Sequence, residues 1–213
     1  CTIIDQIEAQ GIPVYVLKYP QTVSEVIGMI KTVGLIVGKE DEAEEISGFI
    51  TGYVDIVKDR TEGLEQKPLV YFELKNQLGA TGNNFTLTSQ LITLAGGVNI
   101  AENETLQYVT LNNEDIIYNK NPDVIIKFYQ GAEPNEEEMN MLKEEIMNRP
   151  GWNEINAVKN GKVYIIHYAE SSINPRLVIG LIRYAKWIHP ELFQDIDIDE
   201  VKEYTNNIYG MTT

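Results

Sequence analysis

The 213-residue chain has one cysteine and two histidines, and its 17 lysines and arginines face 32 aspartates and glutamates. Each shortage excludes something. With Cys1 alone, neither an internal disulfide nor a thiolate metal cluster can form. His167 and His189 stand too far apart in sequence for metal-ligand spacing, and no metal site is expected. A formal net charge of −15 leaves no basic footprint for nucleic acid, whose phosphates require one. It fits a solvated surface, a cationic ligand or a basic docking partner. No apolar run approaches the roughly 18–20 residues of a membrane span. Neither glycine-rich phosphate loop, G-x-G-x-x-G or G-x-x-x-x-G-K-[ST], occurs, and the G-x-S-x-G nucleophile elbow is missing as well. Enzymatic chemistry, catalytic residues and a resident cofactor are therefore not expected.

What is present is enough apolar surface for a sizeable core, 43% of the residues. The chain opens on Cys1-Thr2-Ile3-Ile4-Asp5, without a basic start or an apolar leader. A mature bacterial lipoprotein also begins with cysteine, but its anchor is usually followed by a polar tether. Here Ile3, Ile4 and Ile7 follow at helical spacing, so a boundary within a longer chain is the expected reading of Cys1.

Residues Thr2 to Gln10 read as the end of a helix stopped by Gly11, and Pro13–Leu17 as a short buried strand. Thr22 and Glu25 form a capping-box pattern for a helix carrying Val23, Val26, Ile27 and Ile30, ended by Gly38. A long helix follows, about Lys39 to Glu62, with acids at its start and Lys58 and Arg60 at its end, as the helix dipole favours. Its apolar stripe runs through Ala43, Ile46, Ile50 and Val57, and its length suits a rigid connector.

Strands and helices then alternate. Strands are expected at Leu69–Phe72, Val124–Phe128 and Val163–Ile166. Helices are expected near Leu87–Ala95, from Asn112 to Tyr118, after Pro134-Asn135, near Trp152–Val158, after the N-cap pair Asn174-Pro175, and from Ile198 to Ile208. This alternation implies an α/β fold, a three-layer Rossmann-like lobe with a mostly parallel sheet. Ligands of such sheets sit beyond the carboxyl ends of the strands. The loops there are Glu73–Phe85, Tyr129–Pro134 and His167–Arg176.

Several blocks occur together in order. They are Gly11–Val16, Leu91–Ala101 (LITLAGGVNIA), Asn121–Ile126 (NPDVII), Arg149–Trp152 (RPGW), Ala157–Tyr164 (AVKNGKVY) and Ala185–Phe193 (AKWIHPELF). In these blocks, and in the long helix among them, the chain resembles the two-lobed substrate-binding proteins of ABC importers for ferric siderophores, cobalamin and haem. The resemblance implies three parts: residues 1–38 as the C-terminal remnant of an N-terminal lobe, 39–66 as the connector helix, and 67–213 as the C-terminal ligand-binding lobe. It also implies an iron chelate or corrinoid as ligand, a membrane permease as partner, and an extracytoplasmic location with the parent protein anchored to the membrane. Family members place an acidic residue on each lobe against permease arginines. None occurs between Leu74 and Ala101, and Glu102 and Glu104 stand nearest.

The candidate ligand-binding residues are those at strand ends. Tyr129 and Tyr168 would stack on a planar ligand or meet iron as phenolate, or else pack with satisfied hydroxyls. Arg176 would hold an anionic group by a bidentate contact, or serve as a surface or capping arginine. His167 points at the ligand or into a hydrogen-bonded core. Asn83 and Asn84 are polar contacts or turn formers. Trp152, Trp187 and His189 are expected to pack. Two other readings stay open: a fragment of a doubly wound α/β enzyme, and an interaction module that pairs with a separate lobe.

Overall fold

The computed structural model describes residues 2–74, 77–132 and 134–208. Cys1 and, within the expected loops, Lys75 and Glu133 lie outside the described residues.

The first helix, α1 (Ile3–Glu8), starts at a capping box between Thr2 and Asp5. Gly11 follows in the left-handed region, at φ 78°. The next helix, α2 (Val23–Val37), is capped by Thr22, whose hydroxyl accepts from the Glu25 backbone N–H. The reciprocal half of the expected box does not close: the Glu25 carboxylate accepts from the Gln21 N–H at 2.7 Å and pairs with Lys18 instead.

Between these helices Pro13–Leu17 is not a strand. It has the composition of a buried one, but no described strand pairs with it, and a strand without a ladder partner has nothing to hold its backbone. Its side chains stand in solvent accordingly, with Tyr15 67% and Val16 73% exposed.

Helix α3 (Glu40–Thr61) matches its expected bounds to within a residue, with Glu40, Asp41 and Glu42 in its first turn and Lys58 and Arg60 in its last. Its 22 residues span about 33 Å at 1.5 Å per residue. Ala43, Ile50 and Val57 recur at seven-residue spacing and are buried against the neighbouring helices.

The remaining chain winds β1 (Leu69–Glu73), β2 (Ala80–Gly82), α4 (Leu87–Leu94), β3 (Val98–Asn99), β4 (Tyr108–Thr110), β5 (Val124–Tyr129), α5 (Glu136–Met147), α6 (Asn156–Lys159), β6 (Val163–His167), α7 (Leu177–Ile188) and α8 (Ile198–Ile208). Four strands form one parallel sheet in the order β3-β1-β5-β6. The short β2 and β4 make a separate antiparallel ribbon, and β2 lies inside the segment Glu73–Phe85 expected to be a loop.

Both faces of the parallel sheet are covered, so its strands are apolar on both sides. Val70, Phe72, Val124 and Ile126 pack towards α4 and α7. Tyr71, Ile125 and Val163 pack towards Trp152, Ile146 and Ile116. The result is the expected three-layer α/β lobe.

Other local differences have simple causes. The helix expected from Asn112 is a wide π-type turn, Asp115–Lys120, which Asn112 still caps by accepting from the Asp115 N–H at 2.7 Å. The segment Trp152–Val158 divides into a 3-10 turn, Trp152–Glu154, and α6, because Ile155 between them is extended. Asn174 does not cap α7: its Oδ1 accepts from the Arg176 N–H at 2.8 Å in a local turn, and the helix starts three residues later. Trp187 stacks on Tyr164, and His189 lies buried with Nε2 near the Gly96 carbonyl; both are packing residues, as is the fully buried Trp152.

Candidate functional site at the carboxyl edge of the sheet

From β1 the chain crosses through α4 to β3 on one side, and β5 later adds on the other side of β1. The carboxyl ends of β1 and β5 therefore flank the switch point of the sheet, where α/β folds place their ligands. A cleft of about 810 Å³ opens there, within the roughly 300–1,000 Å³ of small-molecule sites. Leu74 follows β1 into it, Phe128 and Gln130 come from the end of β5, and Tyr168 from the turn after β6. The ribbon forms the opposite wall with Thr81 and Tyr108, and the stretch between β3 and β4 adds Glu104 and Leu106. A smaller hollow of about 140 Å³ shares Leu74, Tyr108 and Phe128 and brings in Tyr19 and Phe85. The aromatic residues of the rim are solvent-facing, from Tyr168 at 43% exposed to Tyr19 at 75%.

The ribbon wall is fixed by buried amides. Asn83 is fully buried: its Nδ2 donates to the Glu104 carbonyl at 2.8 Å and its Oδ1 accepts from the Phe85 N–H at 3.0 Å. Asn99 donates to the Gly82 carbonyl and the Ser89 hydroxyl, and accepts from the Ala101 N–H. Asn83 thus braces the cleft wall from behind, while its neighbour Asn84 is exposed on the turn.

The other sequence candidates separate. Tyr168 lines the cleft. Tyr129 pairs in register with His167, and its ring lies against Gly131. His167 Nδ1 accepts from the Ala169 N–H at 3.3 Å, which leaves Nε2 to donate to the Gly131 carbonyl at 3.1 Å; the imidazole ties the two strand-end loops together. Arg176 lines a separate small hollow with His167, Glu170 and Lys202, and its Nη2 is 3.5 Å from Asn206 Oδ1. Only Tyr168 of the six shares the main cleft with Tyr108 and Gln130.

On the other face of the same strand ends lies a charged cluster that the sequence reading missed. Glu73, fully buried, accepts from Lys127 Nζ at 2.7 Å and from both Arg149 terminal nitrogens at 2.6 and 2.9 Å. Burial alone would push its carboxyl up, but the hydrogen bonds from Arg149 and Lys127 outweigh it and hold it below its ordinary value. The Tyr71 hydroxyl donates to Glu73 at 3.0 Å and accepts from the Gly79 N–H at 3.0 Å. Burial pushes that phenol up, and the Glu73 charge adds to the effect. The cluster locks β1 to β5 and to the loop that leads into the ribbon. No local sequence signal marks it, because its partners are 54 and 76 positions from Glu73.

Among the described residues no group of three or more His, Cys, Asp or Glu side chains could hold a metal ion, and no helix is long and apolar enough to cross a membrane.

A three-layer parallel sheet with a ligand-sized cleft beyond its strand ends has the form of a solute-capturing lobe. The chain belongs to the periplasmic binding protein family, whose pattern matches residues 2–169. It is similar to the uncharacterized ABC transporter substrate-binding lipoprotein YvrC of Bacillus subtilis, with 25% identity over 197 residues, covering 90% of this chain and 59% of YvrC. It is also similar to the high-affinity haem uptake system protein IsdE of Staphylococcus aureus, 28% identical over 120 residues, or 54% of this chain and 40% of IsdE. Among solved structures, the TroA-like periplasmic binding protein FepB of Veillonella parvula superposes with a TM-score of 0.83 at 26% identity, over 96% of this chain and 63% of FepB. The match thus spans less than two-thirds of each of these proteins.

Proposed function

We propose that the chain is the ligand-capturing part of an extracytoplasmic solute-binding protein of an ABC importer, which takes up a metal chelate (a ferric siderophore, haem or a corrinoid) and hands it to a membrane permease. The observation that carries this reading is the cleft of about 810 Å³ at the switch point between β1 and β5. It is large enough for a chelate and is walled by aromatic, hydroxyl and amide groups. Family membership supports the same reading.

In this account residues 67–213 are the C-terminal lobe, 39–66 the connecting helix, and 1–38 the end of a second lobe. The exposed apolar side chains of that first part, Tyr15 and Val16 on the unpaired segment and Leu35 and Val37 on α2, fit a surface that another layer covers. A single stiff helix between lobes permits small motions rather than wide hinge closure. Function is capture: the chelate is held between the lobes, Tyr168 stacks on it from this side, and no bond of the ligand is made or broken. Tyr129, His167 and Asn83 support the loops around the cleft, Asn84 is exposed on the turn next to Asn83, and Arg176 stands beside the cleft.

The test is a fluorescence titration of the protein with ferric siderophores, haem and corrinoids. Saturable quenching at micromolar ligand or below by at least one of them is expected, and Tyr168→Ala weakens it. Absence of binding by every member of the panel contradicts the proposal.

A further inference from the structure

We infer that the cargo presents a positively charged group to this chain: among the described residues the cleft is lined by aromatic rings and by one charged residue, the acid Glu104. The inference rests on the binding-protein reading and narrows it to a class of ligand. Tyr108, Tyr168 and Glu104 line the cleft, and Tyr19 and Phe85 extend the aromatic lining through the adjoining hollow. Ring faces carry negative potential and attract a cation, a carboxylate beside them adds to it, and the pair is a recurrent solution for ammonium recognition. Thr81, Gln130 and Ser172 supply oxygen acceptors in the same cleft.

An anionic ligand meets the reverse. It gives up hydration to enter a cleft whose one charged side chain among the described lining residues is Glu104. Among the described residues, the cations nearest the strand ends serve other groups. Lys127 and Arg149 hold Glu73 on the far face of the sheet, Arg183 pairs with Glu170 at 2.8 Å, and Arg176 lies in its own hollow near Asn206. The net charge of −15 draws cations from a distance and repels anions.

Three chelates with one iron core and different charge isolate this term: ferrioxamine B, cationic through its free ammonium, its neutral N-acetyl derivative, and its anionic N-succinyl derivative. Dissociation constants are measured by fluorescence quenching at low salt. Affinity is expected to fall from cation to neutral to anion, by about tenfold across the series. Glu104→Gln should bring the three close together. Its side chain makes no contact that the fold needs, since Asn83 uses the Glu104 backbone carbonyl.

Equal or tighter binding of the succinyl form overturns the inference while the binding function stands. So does a preference for haem, whose propionates make it anionic. A cation preference that survives Glu104→Gln and Tyr108→Ala unchanged overturns the assignment to this cleft. If no chelate, haem or corrinoid binds at all, the binding-protein reading itself fails.

Discussion

Glu73 and Arg149, 76 residues apart in sequence, meet through two parallel hydrogen bonds of 2.6 and 2.9 Å where the parallel sheet ends. The contact fastens β1 to the end of α5, and Arg149 also lies over the Trp152 ring, 4.5 Å from its centroid. It fixes the strand ends from which the cleft is built.

Removing the carboxylate leaves the buried Lys127 and Arg149 without their shared partner, and Glu73→Gln is expected to destabilise the fold by about 3–5 kcal/mol in urea unfolding. Arg149→Met leaves Glu73 paired with Lys127 and is expected to cost less. The double variant should lose less than the sum, because the two residues act on one another.

The same pair predicts an acid limb. The folded Glu73 carboxyl sits below its ordinary value of 4.5 because Arg149 and Lys127 bind the charged form more strongly than burial opposes it. The unfolded chain therefore binds more protons in that range. The stabilisation is complete above the unfolded value and is lost as pH falls through the folded one. Unfolding curves between pH 6 and pH 3 should show the wild-type protein losing stability below about pH 4.5, with Glu73→Gln losing less over the same interval. Equal slopes would contradict the assignment.

Asn83→Ala removes both amide contacts behind the cleft wall. It should cost about 1–3 kcal/mol through unsatisfied backbone groups, and it should weaken chelate binding because Glu104 and Tyr108 lose their support. Asn84→Ala, on the exposed turn, serves as the comparison and should leave stability within about 0.5 kcal/mol. Thermal unfolding and the quenching titration read both effects.

Gly180 sits where α7 passes over the turn after β6, and a Cβ there would collide with the Glu170 carbonyl oxygen. Gly180→Ala is expected to destabilise by about 1–3 kcal/mol, despite alanine's better helix propensity. A neutral result in urea unfolding would mean that α7 can move away from the turn.

Arg60 joins α3 to the segment before α8, donating to Asp195 at 2.6 and 2.8 Å and to the Leu192 carbonyl at 2.8 Å. The Arg60 hydrogen bonds lower the Asp195 carboxyl to about 2. An NMR titration should find it ionised down to that range, and Arg60→Gln should return it towards the ordinary 3.8.

Features governed by local rules were legible in the sequence. The acid-to-base gradient of α3, the start of α5 after Pro134-Asn135 and the apolar runs of β1, β5 and β6 all lie where periodicity and caps put them. Features governed by partners were not. Pro13–Leu17 reads as a strand and finds no ladder to join among the described residues. β2 and β4 are three residues each and hold together through one another, so neither shows a period of its own.

The site divides in the same way. Tyr168 was visible as the residue after a strand. Tyr108, Glu104 and Phe85 were not, because their place depends on the ribbon and on the buried side chains of Asn83 and Asn99. The Glu73–Lys127–Arg149 cluster joins three distant segments, and a linear reading has no rule that brings them together.

The most direct test of the central claim is to locate the bound chelate. Gallium(III) desferrioxamine B is a diamagnetic substitute for the ferric complex, and amide shifts of the labelled protein report where it sits. The account predicts saturable shifts at Leu74, Tyr108, Gln130, Tyr168 and Ser172, around the carboxyl edge of the sheet. Shifts centred instead on Arg149 and Leu142 across the sheet, or no saturable shifts while another chelate binds elsewhere, would contradict it.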